Sequence, residues 1–342
     1  MSINLIQEDD QHERPVSIEC KNTSLASADL MSLPTALRFA PSPNGYLHLG
    51  HALSALVGFR LARELNGRFL VRIEDIDQNR TREEYVDAIF EDLKWLSITW
   101  EPDVLRQSHH FATYQEAAGK LQEMGLLYPC FATRSEIAQA ASAGGRTPRR
   151  DPDGAIIYPG LHRDLPPREI ERRLAHGQRP AMRIRMDKAM ALVASRLGNR
   201  PLTFTEMDAD GQLKTVIAQP QIWGDAIIQR KDFPASYHLA VVVDDALQGI
   251  THVTRGRDLF GATDIHRLLQ VLLDLPAPVY HHHPLLHDAE GAKLSKRFNA
   301  RSLRDLRNSG WTPADVVKAI IRGVENGEND VAIARLLRSG AG

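Results

Sequence analysis

Five residues, Pro41-Ser42-Pro43-Asn44-Gly45, constrain the fold of this chain more than any other stretch. Two prolines fix φ and remove amide donors, and Asn-Gly then permits a reversal, so neither strand nor helix runs through them. Before this turn, Leu37-Arg38-Phe39-Ala40 is a short strand-like run. After it, His48-Leu49-Gly50-His51 opens a segment whose apolar residues recur at helical spacing until Asn66-Gly67 closes it. A strand-like run over 68–73 (RFLVRI), the acidic Glu74-Asp75-Ile76-Asp77 and a helical pattern from about Thr81 to Leu96 complete a β-α-β-α order. That order predicts a parallel α/β domain.

Composition sets the outer limits. The 342 residues are 43% hydrophobic and 25% charged, the balance of a globular protein with room for about two domains. Lys and Arg number 42 against 43 Asp and Glu, so global charge offers no pull toward nucleic acid and any such contact must come from a local patch. Two cysteines, Cys20 and Cys130, exclude a disulfide framework. No apolar run approaches the roughly 20 residues of a membrane helix, and the first twenty residues carry charges where a signal peptide has its apolar run. A cytoplasmic protein with no membrane partner is expected.

The chain divides into five stretches. Residues 1–33 are polar, lack a sustained period and are expected to form a flexible extension. Residues 34–127 form the first half of the α/β domain. Residues 128–235 are expected to be an inserted α+β subdomain. Within it, residues 144–185 hold ten arginines against five acidic residues, broken by many turns, and the runs AMRIRM, PLTFTEM and QIWGDAIIQR suggest a small sheet. The α/β texture returns over 236–300. There YHLAVVVDD is expected to be a buried strand ending in a turn, ATDIHRLLQVLLDL an amphipathic helix, and YHHHPLLHD a strand before a basic loop. Residues 301–342 are helical in pattern.

Two constellations carry chemistry. In the first, the turn at 41–45 feeds a helix N-terminus, where unpaired amides and the helix dipole favour phosphate. His48 and His51, three apart, share a face there. A lone pair of histidines is more often structural, and the adjoining turn is what shifts the balance toward polyphosphate contact. The pattern is neither a Walker loop nor a dinucleotide fingerprint. The second is Lys293-Leu294-Ser295-Lys296-Arg297, a solvated basic run if taken alone. Flexible lysines of this kind also close over a phosphate that gains charge during transfer.

HLGH after APSPNG, paired with a late KLSKR, resembles the two signatures of class I aminoacyl-tRNA synthetases. RFAPSPNGYLHLGH, RIEDID, YHLAVVVDD, HVTRGRDL and HHHPLLHDAEGAKLSKR narrow the resemblance to the glutamyl branch, over roughly residues 37–310. Only 45 residues follow KLSKR, too few for that branch's anticodon-binding region, and Val241 follows YHLA where discriminating members carry Asn. Both departures resemble the branch's truncated paralogues, the glutamyl-queuosine tRNA(Asp) synthetases. The implied fold is a Rossmann-like class I catalytic domain with an inserted acceptor-type subdomain, a short helical C-terminal region and no anticodon-binding domain.

The resemblance implies ATP-dependent, tRNA-independent activation of L-glutamate, then transfer to the queuosine base at the wobble position of tRNA(Asp). A monomer is expected, with Mg²⁺ arriving on ATP. By the same resemblance Arg38, Ala40, Ser42, Glu74, Tyr237 and Arg255 line the glutamate site. His48, Gly50, His51, Lys293, Leu294, Ser295 and Lys296 bind ATP, with His48, His51, Lys293 and Lys296 catalytic. Arg255 or Arg38 would grip the side-chain carboxylate through two parallel charge-assisted hydrogen bonds. Glu74, at a strand's carboxyl end, would hold the α-ammonium, and Asp258 would orient Arg255.

Asp244-Asp245 reads as a strand-end turn rather than a metal pair. One of His281, His282 and His283 is expected near a phosphate or nucleotide. The paralogues' zinc positions fall on Cys130, Ala132, Tyr158 and His162. Ala132 cannot ligate, so no zinc is expected. Arg146, Arg149, Arg150, Arg163, Arg172 and Arg173 are candidates for RNA phosphates or for solvated surface. Other readings remain: a minimal glutamyl-tRNA synthetase charging a 3′ end, a nucleotidyltransferase of the same broad fold, and an RNA-binding regulator with dead chemistry.

Overall fold

The computed structural model describes residues 34–208, 210–288, 301–327 and 330–339. The turn at 41–45 does what the prolines require. Strand β1 (Ala36–Phe39) stops before it and helix α1 (Leu49–Glu64) starts after it, returning the chain to β2 (Arg68–Ile73). Helix α2 (Glu83–Trp95), the short β3 (Leu105–Arg106) and α3 (Phe111–Glu123) follow, with β2 parallel to both β1 and β3. Next come β4 (Leu127–Cys130), α4 (Arg134–Ala141), α5 (Pro167–Ala175), β5 (Ala181–Ile184), α6 (Met186–Arg196), β6 (Thr203–Met207), β7 (Leu213–Ile217) and β8 (Ile227–Gln229). The chain ends in α7 (Tyr237–Leu247), β9 (His252–Gly256), α8 (Ala262–Leu272), β10 (Val279–His283), α9 (Leu303–Asn308), α10 (Pro313–Glu325) and α11 (Val331–Ser339).

Seven strands form the main sheet in the order β3-β2-β1-β9-β10-β6-β7, parallel except for the terminal β6–β7 hairpin. A separate antiparallel sheet takes β4-β5-β8. PLTFTEM therefore does not join the small sheet expected for the 128–235 stretch. Its strand β6 pairs with β10 through Glu206 and Tyr280 and extends the main sheet. AMRI and IIQ do pair with each other, beside β4.

Alternation along the strands sorts side chains onto two faces. Leu37, Phe39, Phe69, Val71 and Ile73 pack with α1, α2, α10 and α11 on one face. Ala36 and Leu70 join α7 and α8 on the other. Arg38 and Arg72 share the register of Ala36 and Leu70, so two charges are sent toward α7. The run expected as a strand, YHLAVVVDD, is that helix. A continuous apolar stretch rich in Val suits a buried strand or a buried helix equally, and burial of residues 239–245 on every side is satisfied here by a helix between two layers. Asp244 and Asp245 consequently lie within α7, not in a strand-end turn, and meet the arginines of β1 and β2. No helix among the described residues is long and apolar enough to cross a membrane.

Candidate active site

The strand order reverses between β1 and β9. In an open α/β sheet, the carboxyl ends of the strands flanking such a switch form the crevice where ligands bind. A cavity of about 830 Å³ lies there. Arg38, Ala40, Ser42, His48, Gly50, His51, Glu74, Tyr237 and Arg255 all line it, so the structure brings these predicted residues together. Lys293, Leu294, Ser295 and Lys296 lie outside the described residues. Leu286 and Arg301, described on either side of that stretch, also line the cavity.

At one end of the cavity, α1 presents its N-terminus. His48 is the N-cap, its Nδ1 accepting from the Gly50 amide at 3.0 Å, while His51 Nδ1 accepts from the His48 amide at 3.2 Å. Two imidazoles thus make a reciprocal capping box, with rings stacked 3.8 Å apart. Because each Nδ1 accepts, each neutral ring carries its proton on Nε2. Burial lowers the pKa of both, His51 to about 3 with help from His48, so both act as neutral donors. A Cβ on Gly50 would stand 2.9 Å from His48 Cε1, so a side chain there would displace the capping ring.

Beneath the other end lies a buried ionic floor. Arg38 Nε donates to Asp245 Oδ1 at 2.9 Å. Arg72, fully buried, donates to Asp245 Oδ1 at 2.8 Å and Gln248 Oε1 at 3.0 Å, with Glu74 at 3.4 Å and Asp244 at 3.8 Å. Asp244 also accepts from Gln107 and Tyr114. Burial alone would raise both acids. Asp245 is nonetheless held below the usual carboxylate range by Arg38 and Arg72, whereas burial keeps Asp244 and Glu74 raised despite Arg72. Two guanidinium groups thus face three carboxylates. With all of them ionised the floor has one negative charge to spare, beside Glu74, which suits a substrate ammonium.

Arg255, at the carboxyl end of β9, is treated differently. Nε donates to His282 Nε2 at 3.0 Å, Nη1 to His266 Nδ1 at 3.1 Å and to Tyr237 Oη at 3.4 Å, and Nη2 to Thr263 Oγ1 at 2.6 Å. Every one of these partners is uncharged. These partners fix its orientation, and Asp258 lines the same cavity. The three histidines of β10 part company. His281 bonds the Met207 carbonyl, His282 supports Arg255, and His283 lines the cavity with Nε2 2.8 Å from Ser54 Oγ.

Sequence reasoning missed Arg72, Thr263, His266 and the role of Glu206. Only the alternation placing Arg38 of β1 and Arg72 of β2 on one face of the sheet was a signal, and it needed the position of α7 to be read.

The small sheet gathers Cys130, Ala132 and Tyr158 into a buried cluster with Tyr128. His162 Nδ1 accepts from the Phe131 amide, the Tyr158 hydroxyl accepts from the His162 amide, and the Arg183 guanidinium stands 4.1 Å over the Tyr158 ring. One thiol, an engaged imidazole and a resident cation do not fit a four-coordinate dication. Arg163, one of the candidates for RNA phosphates or solvated surface, bonds Asp225 at 2.7 and 2.8 Å. Arg172 and Arg173 pair with Glu169 on α5, Arg146 and Arg150 bond nearby carbonyls, and Arg149 is exposed.

The family model for tRNA synthetases class I (E and Q), catalytic domain, matches residues 35–335. The glutamyl-Q tRNA(Asp) synthetase of Rhodobacter capsulatus is 45% identical over 287 residues, 83% of this chain and 98% of that protein. That of Symbiobacterium thermophilum is 39% identical, covering 82% and 83%. Among solved structures, a glutamate tRNA ligase from Elizabethkingia meningosepticum, in complex with its amino acid, superposes with a TM-score of 0.61 at 25% identity. The match covers 82% of this chain and 54% of that one, so the chain spans about half the length of the ligase. Matched by this model along nearly its whole described length, and by a 45% identical relative that it covers almost end to end, the chain belongs to the class I tRNA synthetases of the glutamate and glutamine branch and, within it, to the glutamyl-Q tRNA(Asp) synthetase family.

Proposed function

We propose that the protein activates L-glutamate with ATP, without tRNA, and passes the glutamyl group to the queuosine base at the wobble position of tRNA(Asp). It does so in the cytoplasm, as a monomer. One observation carries the reading. A single cavity joins two neutral phosphate donors at a helix N-terminus to a buried arginine whose own partners are all uncharged.

The chemistry is positioning and charge stabilisation. Arg255 and Tyr237 take the side-chain carboxylate, and Glu74 takes the α-ammonium. The α-carboxylate oxygen attacks the α-phosphorus of ATP, forming one P–O bond as the bond to pyrophosphate breaks. His48 and His51 donate through Nε2–H to phosphate oxygens, and the resemblance gives Lys293 and Lys296 the departing pyrophosphate. Magnesium enters with ATP. A nucleophile of the queuosine base then attacks the activated carbonyl, and AMP leaves.

Labelled glutamate and ATP, offered with tRNA(Asp) containing or lacking queuosine, test the proposal. Label on the queuosine form alone, retained after removal of the 3′-terminal adenosine, is the expected result. Equal label on both forms, lost with that adenosine, would make the protein a minimal charging synthetase instead. Glutamate-dependent pyrophosphate exchange with neither form labelled would keep the adenylation and overturn the acceptor.

A further inference from the structure

Arg255 is 5% exposed, and a guanidinium so deeply buried ordinarily meets a carboxylate. Here its nearest acceptors are two imidazole nitrogens and a hydroxyl. Both imidazoles are fixed as acceptors by what stands behind them. His282 receives Arg255 on Nε2, so its proton sits on Nδ1, 2.8 Å from Glu206 Oε2, and its amide donates to Glu206 Oε1 at 2.9 Å. His266 receives Arg255 on Nδ1 and turns Nε2–H toward His238 Nδ1 at 3.3 Å. Burial, reinforced by Arg255 itself, lowers the pKa of both rings, and Glu206 only partly opposes this at His282.

Arg255 has five N–H donors. One on Nε, one on Nη1 and one on Nη2 are held by His282, His266 and Thr263. Of the remaining two, one on each terminal nitrogen, the Nη1 donor meets only Tyr237 at the long distance of 3.4 Å. Two donors, one of them held only at 3.4 Å, are thus left for a ligand, and the planar guanidinium fork is the group that takes a carboxylate through two hydrogen bonds.

We propose that His266, His282 and Glu206 are positioning residues that hold Arg255 with no carboxylate bonded to it, and that this sets a side-chain carboxylate above its amide. This rests on the reading that glutamate occupies the cavity. An amide offers the fork one acceptor and no charge, so it leaves the buried guanidinium without a bonded counter-ion, whereas a carboxylate supplies one.

The test changes charge at nearly constant shape. His266→Gln and His282→Gln keep a neutral acceptor, and His266→Glu and His282→Glu place a carboxylate against Arg255. Pyrophosphate exchange gives KM for glutamate and for ATP, and competition by glutamine gives the preference. The Glu variants are expected to raise the glutamate KM by roughly tenfold or more, the scale of one charge-assisted hydrogen bond. They should leave the ATP KM in place and narrow the glutamate-to-glutamine preference, while the Gln variants stay within about threefold of wild type by the same scale. Glu variants indistinguishable from their Gln counterparts, or ATP and glutamate KM rising together, would overturn the proposal. A Glu at 282 faces Glu206, so if that variant does not fold, the pair at 266 decides. Absence of glutamate-dependent exchange in the wild type is a separate result. It would remove the functional reading while leaving the variant comparison unaddressed only for glutamate, and binding of glutarate against its monoamide by calorimetry then decides the charge preference on the same variants.

Discussion

Arg38 and Arg255 stand in one cavity, on the carboxyl ends of neighbouring strands, and both are about 5% exposed. Their surroundings are opposites. Arg38 belongs to the ionic floor and is neutralised by Asp245, which also holds Arg72. Arg255 stands in a wall of uncharged acceptors. The difference separates support from recognition. An arginine paired with its own carboxylate is stable without ligand and has little charge to offer, whereas one held by neutral groups keeps its charge for whatever enters.

The largest effect should come from the floor. Asp245→Ala leaves two buried guanidinium groups without their shared partner, and removing one side of a buried pair costs about 3–5 kcal/mol. Urea midpoints measure it. Arg255→Ala strands no carboxylate, so its stability should move much less, while kcat/KM for glutamate falls by about 2–4 kcal/mol in transition-state terms, the range for losing a buried charged contact to a substrate. Equal destabilisation by the two substitutions would break the comparison.

The smallest effect is in pH. The buried rings of the wall resist protonation, His238 down to about 4 and His266 well below its ordinary 6.5, in both cases through burial and Arg255. On unfolding these rings regain 6.5, so between that value and the folded one the unfolded chain binds more protons. Stability therefore falls as pH drops below 6.5, by up to about 1.4 kcal/mol per pH unit for each such ring. Asp92, raised to about 6 by burial, acts in the other sense, because its folded form takes a proton first and gains stability as pH falls through 6. Thermal midpoints at pH 7 and pH 5 should show a net loss at pH 5, steeper in Asp92→Asn and shallower in His266→Gln. A flat profile in the wild type would mean that the wall's rings are not held neutral.

Much of this contrast was out of reach from sequence. The turn at 41–45, the histidine pair at the start of α1 and β2 were legible because each depends on neighbours in the chain, whereas the reciprocal cap the two rings form was not read. The strand ends that carry Arg38, Glu74 and Arg255 followed from the α/β order and the family resemblance. The two arginines looked equivalent because their partners lie far away, Asp245 207 residues from Arg38 and His282 27 residues from Arg255. Reading α7 as a strand hid the floor altogether, since acids in a turn have no reason to meet Arg72. Glu206 was hidden for a related reason. Nothing local says that a strand lying between two members of the small sheet leaves it to pair with β10.

The sheet order also bears on how the chain is made. β1 emerges early, yet its second neighbour is β9, and Leu37 pairs with His252. During synthesis one edge of β1 must wait more than 200 residues for its partner, and contacts this distant in sequence slow folding and prolong exposure of apolar strand edges. A nascent chain or a truncated product that stops before β9 carries an open, apolar strand edge of the kind that aggregates. Chaperone demand should accordingly peak in the interval before residue 252 leaves the ribosome and drop once β9 closes the gap.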